Sequence, residues 1–295
     1  MSPDEDALLN GIAADPAADL PRLVYADWLE EHGQDLLAEF IRIQCEIAKL
    51  EVGPRTVIDR NVHLWRRQQE LLDGHMGALL EGMTFTPRSS QMPGPRFYRG
   101  FMDEIDVASN VIKDLAQPIL RLRPTPARLI VTTDDHHFFD HQTALTKEFA
   151  AIVTELRCHC KDNSERDDFV PLANYVVRDL DWTRLEILTL VNNAIYVGRL
   201  VVILHDHAPA LTTLSIHNSA IINNEVIDLL NAGILQRLSH ISLIENVIGD
   251  QAAIELADRL GNSPNLKELD LRRNGITADG QAALLRRLGS KVILF

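Results

Sequence analysis

The stretch 265–276, NLKELDLRRNGI, constrains the fold more than any other part of this chain. Leu266, Leu269 and Leu271 are apolar, Asn274 follows, and Ile276 closes the pattern L-x-x-L-x-L-x-x-N-x-I. Leu269 and Leu271 alternate along a short strand, so both point to one side of it. Asn274 stands where the chain must turn off the strand, and its side-chain amide can bond backbone groups that the turn leaves unpaired. A helix-compatible run, 277–288, comes next. A unit of this size cannot bury its own apolar edge, so it requires neighbours of the same kind.

The rest of the chain supplies them. The second apolar residue of the strand pair recurs at Val107, Val131, Cys158, Leu190, Ile216, Leu243 and Leu271, at intervals of 24, 27, 32, 26, 27 and 28 residues. The last four markers are completed by Asn193/Ile195, Ser219/Ile221, Asn246/Ile248 and Asn274/Ile276, whereas Cys158 rests mainly on spacing. A closing strand is expected at 292–294. Periods of this length hold a strand, a turn and a helix, and helices are expected at 108–122, 140–153, 168–179, 224–231, 251–260 and 278–288. With IGDQAAIELADRL and ITADGQAALLRRL, this pattern resembles the ribonuclease-inhibitor-like class of leucine-rich repeat over residues 97–295, most strongly from 185. The resemblance implies an α/β solenoid of about seven or eight units, with a curved parallel sheet and outer helices, used as a binding scaffold.

The N-terminal segment follows another pattern. Residues 4–15 form an amphipathic helix, ended by Asp15-Pro16. Asp19 is expected to N-cap a second helix, with Pro21 in its first turn, Leu23, Val24, Trp28 and Leu29 facing inward, and Gly33 ending it. A third helix spans 35–50, and the pair makes a helical hairpin. DPAADLPRLVYADWLEEHGQDLLAEFIRIQ resembles the bacterial repeat-companion domain over residues 4–50. That resemblance implies a helical cap module accompanying repeats, and no reaction. Residues 56–82 read as helical and 86–96, with three prolines, as a linker. The expected domains are therefore 1–52, a connecting segment 53–96, and the repeats 97–295.

Composition narrows the function. A net charge of −13 makes the chain a poor ligand for nucleic-acid phosphates. Apolar runs such as 200–204 are too short to span a bilayer, the N-terminus lacks the pattern of a signal peptide, and three cysteines make no disulfide framework. A cytoplasmic protein is the expectation.

Phosphate loops, nucleophile elbows, dinucleotide fingerprints and zincin helices do not occur in the sequence. DDHHFFDH, 134–141, would place His137 and His141 at i, i+4 on a helix, with Asp134 or Asp140 nearby; metal ligands normally come in sets of three or four, so an acidic helix start with Phe138 and Phe139 in the core is the plainer reading. In Cys158-His159-Cys160, strand alternation points both thiols inward as small core groups. His205-Asp206-His207 reads as a polar helix end.

Functional residues are instead expected on the sheet face opposite the leucines. The central column there reads Asp106, Ile130, Arg157, Thr189, Ser215, Ser242 and Asp270. Beside it stand His217 and Arg272 on one side, His240 and Glu268 on the other. The expected function is a non-catalytic scaffold, without cofactor, nucleic acid or membrane, that binds a protein or peptide through Thr189, Ser215, His217, His240, Ser242, Glu268, Asp270 and Arg272. A metal-dependent site around His137 and His141, and a self-associating structural module, are the alternatives.

Overall fold

A computed structural model describes residues 2–50, 61–79, 96–108, 119, 125–133, 147–160, 180–193 and 195–295. The chain divides into two compact units, Met1–Asp106 with Arg121–Pro126, and Val107–Leu120 with Ala127–Phe295.

The first unit begins with four helices, α1 Pro3–Ala14, α2 Leu20–Glu31, α3 Asp35–Leu50 and α4 Val62–Leu79. Ser2 caps α1 by accepting from Glu5 N at 3.1 Å, and the acidic residues Asp4, Glu5 and Asp6 sit at the positive end of its dipole. Gly33 ends α2 in the left-handed conformation, φ 77°, with Gln34 N donating to Leu29 O at 2.8 Å. The core joins Leu9 and Ile12 of α1 to Tyr25, Ala26 and Leu29 of α2 and to Ala38, Ile41 and Cys45 of α3.

Two sequence expectations for α2 need correction. Val24 is 45% exposed rather than inward, because the buried stripe of α2 runs through Arg22, Tyr25, Ala26 and Leu29 instead. Asp19 stands at the N-cap position but makes no capping bond. Its carboxylate pairs with Arg99, and a full ion pair on a half-buried acid outcompetes a backbone cap.

Arg99 belongs to a feature the sequence reading assigned to the repeats. Strands β1 Arg96–Tyr98 and β2 Phe101–Ala108 form an antiparallel hairpin. Arg99 and Gly100 turn it, both with positive φ (53° and 89°), as a tight hairpin turn requires. A Cβ on Gly100 would lie 2.5 Å from Ile41 Cγ1 and 2.7 Å from Ile41 Cα, so only glycine lets the turn close onto α3. Phe101 stacks on Tyr25 with ring centroids 6.0 Å apart, and Phe97 meets Phe40 edge-on at 5.3 Å.

The second unit is α/β. Strands β3 Arg128–Thr133, β4 Glu155–Cys160, β5 Ile187–Val191, β6 Thr213–His217, β7 His240–Ser242, β8 Glu268–Asp270 and β9 Val292–Ile293 pair in chain order, every pair parallel. The closing strand and the weakly marked strand at Cys158 are both present. Parallel neighbours need crossovers, supplied from β5 onward by α6 Val197–His207, α7 Asn223–Asn231 with the short α8 Ile234–Arg237, α9 Asp250–Leu260 and α10 Ala278–Leu288. In the β4–β5 and earlier crossovers only α5 Lys147–Ala150 lies among the described helices; most of the expected helices at 108–122, 140–153 and 168–179 falls outside the described residues. Leu129, Leu156, Leu188, Leu214, Ile241 and Leu269 align in one buried row, and Val131, Cys158, Leu190 and Ile216 in the next.

At the strand ends the polar residues form a ladder. Asn246 Nδ2 donates to Ile216 O (2.7 Å) and Ile244 O (3.1 Å), while its Oδ1 accepts from Ser219 N (3.0 Å) and Ile221 N (3.2 Å). Asn274 repeats this with Leu243 O, Leu271 O and Ile248 N, and Asn193 with Cys158 O and Val191 O. Replacing Asn246 with Ala removes four hydrogen bonds, including those to the amides of Ser219 and Ile221, in a site where Asn246 is only 8% exposed; Ile244 O keeps Asn218 N. The expected loss is about 2–4 kcal/mol, read as a lowered urea midpoint; an unchanged midpoint would show that the ladder carries no stability.

Candidate functional site

The exposed face of the second unit's sheet follows from strand alternation. β5 and β6 both alternate between half-buried and fully buried positions, so Thr189 and Ser215 face away from the leucine rows. Register places Thr189, Ser215, Ser242 and Asp270 side by side across β5–β8, and Ile187, Thr213, His240 and Glu268 beside them. Seven of the eight residues expected to bind a partner thus belong to one face of the strands, and Arg272 follows just past the end of β8. They do not contribute equally.

Asp270 is 3% exposed and is bound by Arg272, whose Nε lies 3.0 Å from both carboxylate oxygens and whose Nη2 lies 2.7 Å from Oδ2. Arg272 N also donates to Oδ1 at 3.1 Å. The acid is therefore consumed in orienting Arg272, whose side chain remains 44% exposed. On β4 the same arrangement recurs: Arg157 Nε donates to Glu155 Oε1 at 2.7 Å, again two residues apart on one strand. Glu245 and Arg273, just beyond the strand ends, form a third pair. The sequence reading put Glu155, Arg157, Asp270 and Arg272 in columns without seeing the pairing, and did not include Glu245 or Arg273; for the first two pairs the cue is an acid followed two positions later by an arginine.

His217 Nε2 lies 2.8 Å from Ser242 Oγ across β6 and β7. Burial pushes the His217 pKa down, opposed by the charges of Asp270 and Glu245 and assisted by Arg272. His240 Nδ1 lies 2.9 Å from Ser239 Oγ. Beyond the strands, Asn218 Nδ2 donates to Asn192 Oδ1 at 2.9 Å and Asn192 Nδ2 to Cys160 O at 2.9 Å, a row the sequence reading did not include.

The other candidates are placed as follows. Asp134, His137, Asp140 and His141 lie outside the described residues. Among the described residues no group of three or more His, Cys, Asp or Glu side chains is arranged to hold a metal ion. Cys158 and Cys160 are buried, as strand alternation requires, and burial raises both thiols, Cys160 to about 12. His205 and His207 close α6 and pair with Asp206 and Asp181. In the first unit Tyr25 is buried with its hydroxyl donating to Glu5, Asp27 pairs with Arg42, and Trp28 stacks between Tyr25 and His32. Among the described residues no helix is long and apolar enough to cross a membrane.

No protein-family model matches the chain, and no curated protein is significantly similar to it. Among solved structures, a structural-genomics target from Bacteroides fragilis is similar over 77% of this chain and 73% of its own, at 16% identity and a TM-score of 0.45. A likeness at that level bears on neither the function nor the finer fold.

Two measurements check the site's chemistry. His217 has a lowered folded-state pKa, so the unfolded chain binds the extra proton first, and stability falls as pH drops below its ordinary value of about 6.5. Urea melts across this range should show that slope reduced in His217→Gln; identical slopes in both proteins would rule the titration out. All three thiols are buried, so a thiol-specific chromogenic reagent should find none in the native protein and three after denaturation. Rapid native labelling would contradict the packing.

Proposed function

We propose that the chain is a non-catalytic interaction protein: a module resembling the repeat-companion domain followed by a leucine-rich-repeat solenoid, which binds a protein partner on the exposed face of its parallel sheet. The observation that carries this reading is the register of Thr189, Ser215 and Ser242 across three strands. One face of these strands is wholly committed to the core, and the other holds half-exposed side chains that no packing requirement explains. A long row of parallel strands offers such a face without a cleft, which suits a macromolecular ligand better than a small one.

Arg272 and Glu268 edge the surface, and Asp270 supports it from beneath. Substitutions meant to test binding should therefore spare Asp270. Affinity capture from a native lysate, followed by replacement of Ser215, His217, His240 and Glu268 with alanine, tests the reading. A partner should be retained by the parent protein and released by the variant, with affinity lost at least about tenfold. A partner indifferent to all four changes would place binding elsewhere.

A further inference from the structure

The middle of this face is free of formal charge. Across β5–β7 its central row is Thr189, Ser215 and Ser242, and around it stand Ile187, Val191 and Ile244. Charged side chains bracket the region on β4 and β8: Arg157 is paired with Glu155 and Arg272 with Asp270, while Glu268 stands exposed at the β8 edge. His217 shares a hydrogen bond with Ser242 and is held toward its neutral form. A partner bringing its own charge over the row Thr189, Ser215 and Ser242 would lose hydration and find no counter-ion within that row. A purely apolar partner would strand the hydroxyls of Thr189 and Ser215, Ser242 keeping its bond to His217. The complement is a segment that is uncharged and polar along its contact line.

Spacing selects its conformation. Adjacent strands lie about 4.8 Å apart, so the three hydroxyls repeat at that interval across the sheet. An α-helix laid across the strands advances about 5.4 Å per turn and offers one side chain per turn on one face. Over three strands the mismatch is roughly 1 Å. An extended segment repeats its same-face side chains every roughly 6.8 Å, and the mismatch reaches about 4 Å over the same distance. Resting on the interaction reading above, we infer that the ligand of this face is a partner helix lying across β5–β7, with Asn, Gln, Ser or Thr at positions i, i+4 and i+7 over Thr189, Ser215 and Ser242.

The test uses the full chain as bait for two displayed peptide libraries, one held helical and randomised along a single face, the other linear and fully randomised. The helical library should yield binders with uncharged polar residues at the i, i+4 and i+7 spacing. Their affinity should fall at least about tenfold in Ser215→Arg, and change less than about twofold between about 0.05 and about 0.5 M salt. Thr189→Val, which keeps shape and removes one hydroxyl, should weaken binding with an unchanged urea midpoint, separating loss of contact from loss of fold. Binders that are only linear, only charged, strongly salt-dependent or indifferent to Ser215→Arg overturn the inference. So does an absence of binders in both libraries. A lysate partner that is lost in the alanine variant yet competes only with linear or charged peptides would overturn the helix while leaving the interaction reading intact.

Discussion

The second unit depends on satisfying backbone groups where each strand ends. A parallel strand that turns off after a few residues leaves amides and carbonyls with no partner in a water-poor setting, at a cost of about 1–3 kcal/mol for each group. The asparagine amide meets this need because it donates twice and accepts twice from a short side chain. Asn246 uses all four capacities, two on carbonyls of its own and the preceding strand and two on amides of the preceding turn. Ser219 manages with a hydroxyl: it donates to His217 O and accepts from Asn193 N. At Asn193, the Cys160 thiol donates to Oδ1 at 3.6 Å. A buried thiol thus substitutes for a turn amide, which ties the cysteine's burial to the ladder as well as to the core.

This ladder dictates conformations the side chains alone would not choose. The residue before each ladder position, Asn192, Asn218, Glu245 and Arg273, has φ between 46° and 57°. For Glu and Arg that left-handed conformation costs roughly 1–2 kcal/mol, offset by the bonds that the next residue then makes. The same positions carry polar rows of their own, Asn192 with Asn218 and Glu245 with Arg273. A second set of bonds links the helix starts: Asn223 Oδ1 accepts from Gly249 N at 2.7 Å, and Asp250 accepts from Thr277 N at 2.8 Å and from its hydroxyl at 2.6 Å. The starts of α9 and α10 are thus bound by the preceding repeat, whereas at the start of α7 Ile222 N donates to Glu225 of its own helix. Register between units is fixed at both ends of the strand-to-helix segment, and the apolar rows fill what lies between.

Much of this was legible because it repeats. The spacing of leucines and asparagines predicted the strands from β5 onward, the closing strand, and α10 at its observed limits. The parts that escaped have local causes. α6 was marked only at its His205-Asp206-His207 end: it begins after Tyr196, which offers no capping side chain, and VGRLVVIL is rich in β-branched residues, so neither start signal nor propensity marked its body. The spacing marked a strand at Val107, which is β2, and missed β1. Its signal was Arg99-Gly100 between aromatic residues, a two-residue turn that joins antiparallel strands and cannot join parallel ones. Val24 was misplaced since Leu23, Val24 and Trp28 resemble an apolar stripe, while the true stripe includes Arg22, an arginine buried with its guanidinium over Phe101 at 5.7 Å and its Nη1 on Ala18 O. A periodicity argument assigns arginine to solvent, and only the hairpin's arrival at that helix makes its burial favourable.

The candidate face was legible in a different sense. Register aligns Thr189, Ser215, Ser242 and Asp270 in one column, yet a column treats its members as independent, and they are not. Asp270 stood out in the sequence as an accessible acid, and the structure spends it on Arg272. Arg157 stood in the central column as a free cation, and Glu155 pairs with it. On the interaction reading proposed above, the residues left to meet a ligand are the ones a search for chemistry passes over: two serines and a threonine, flanked by aliphatic side chains and a histidine whose ring is already engaged. Such a surface gains little from long-range attraction, so its selectivity has to come from shape and from short hydrogen bonds that must all be made at once. A rigid row of strands, held in register at both ends by side-chain bonds, is the kind of platform on which that demand can be met.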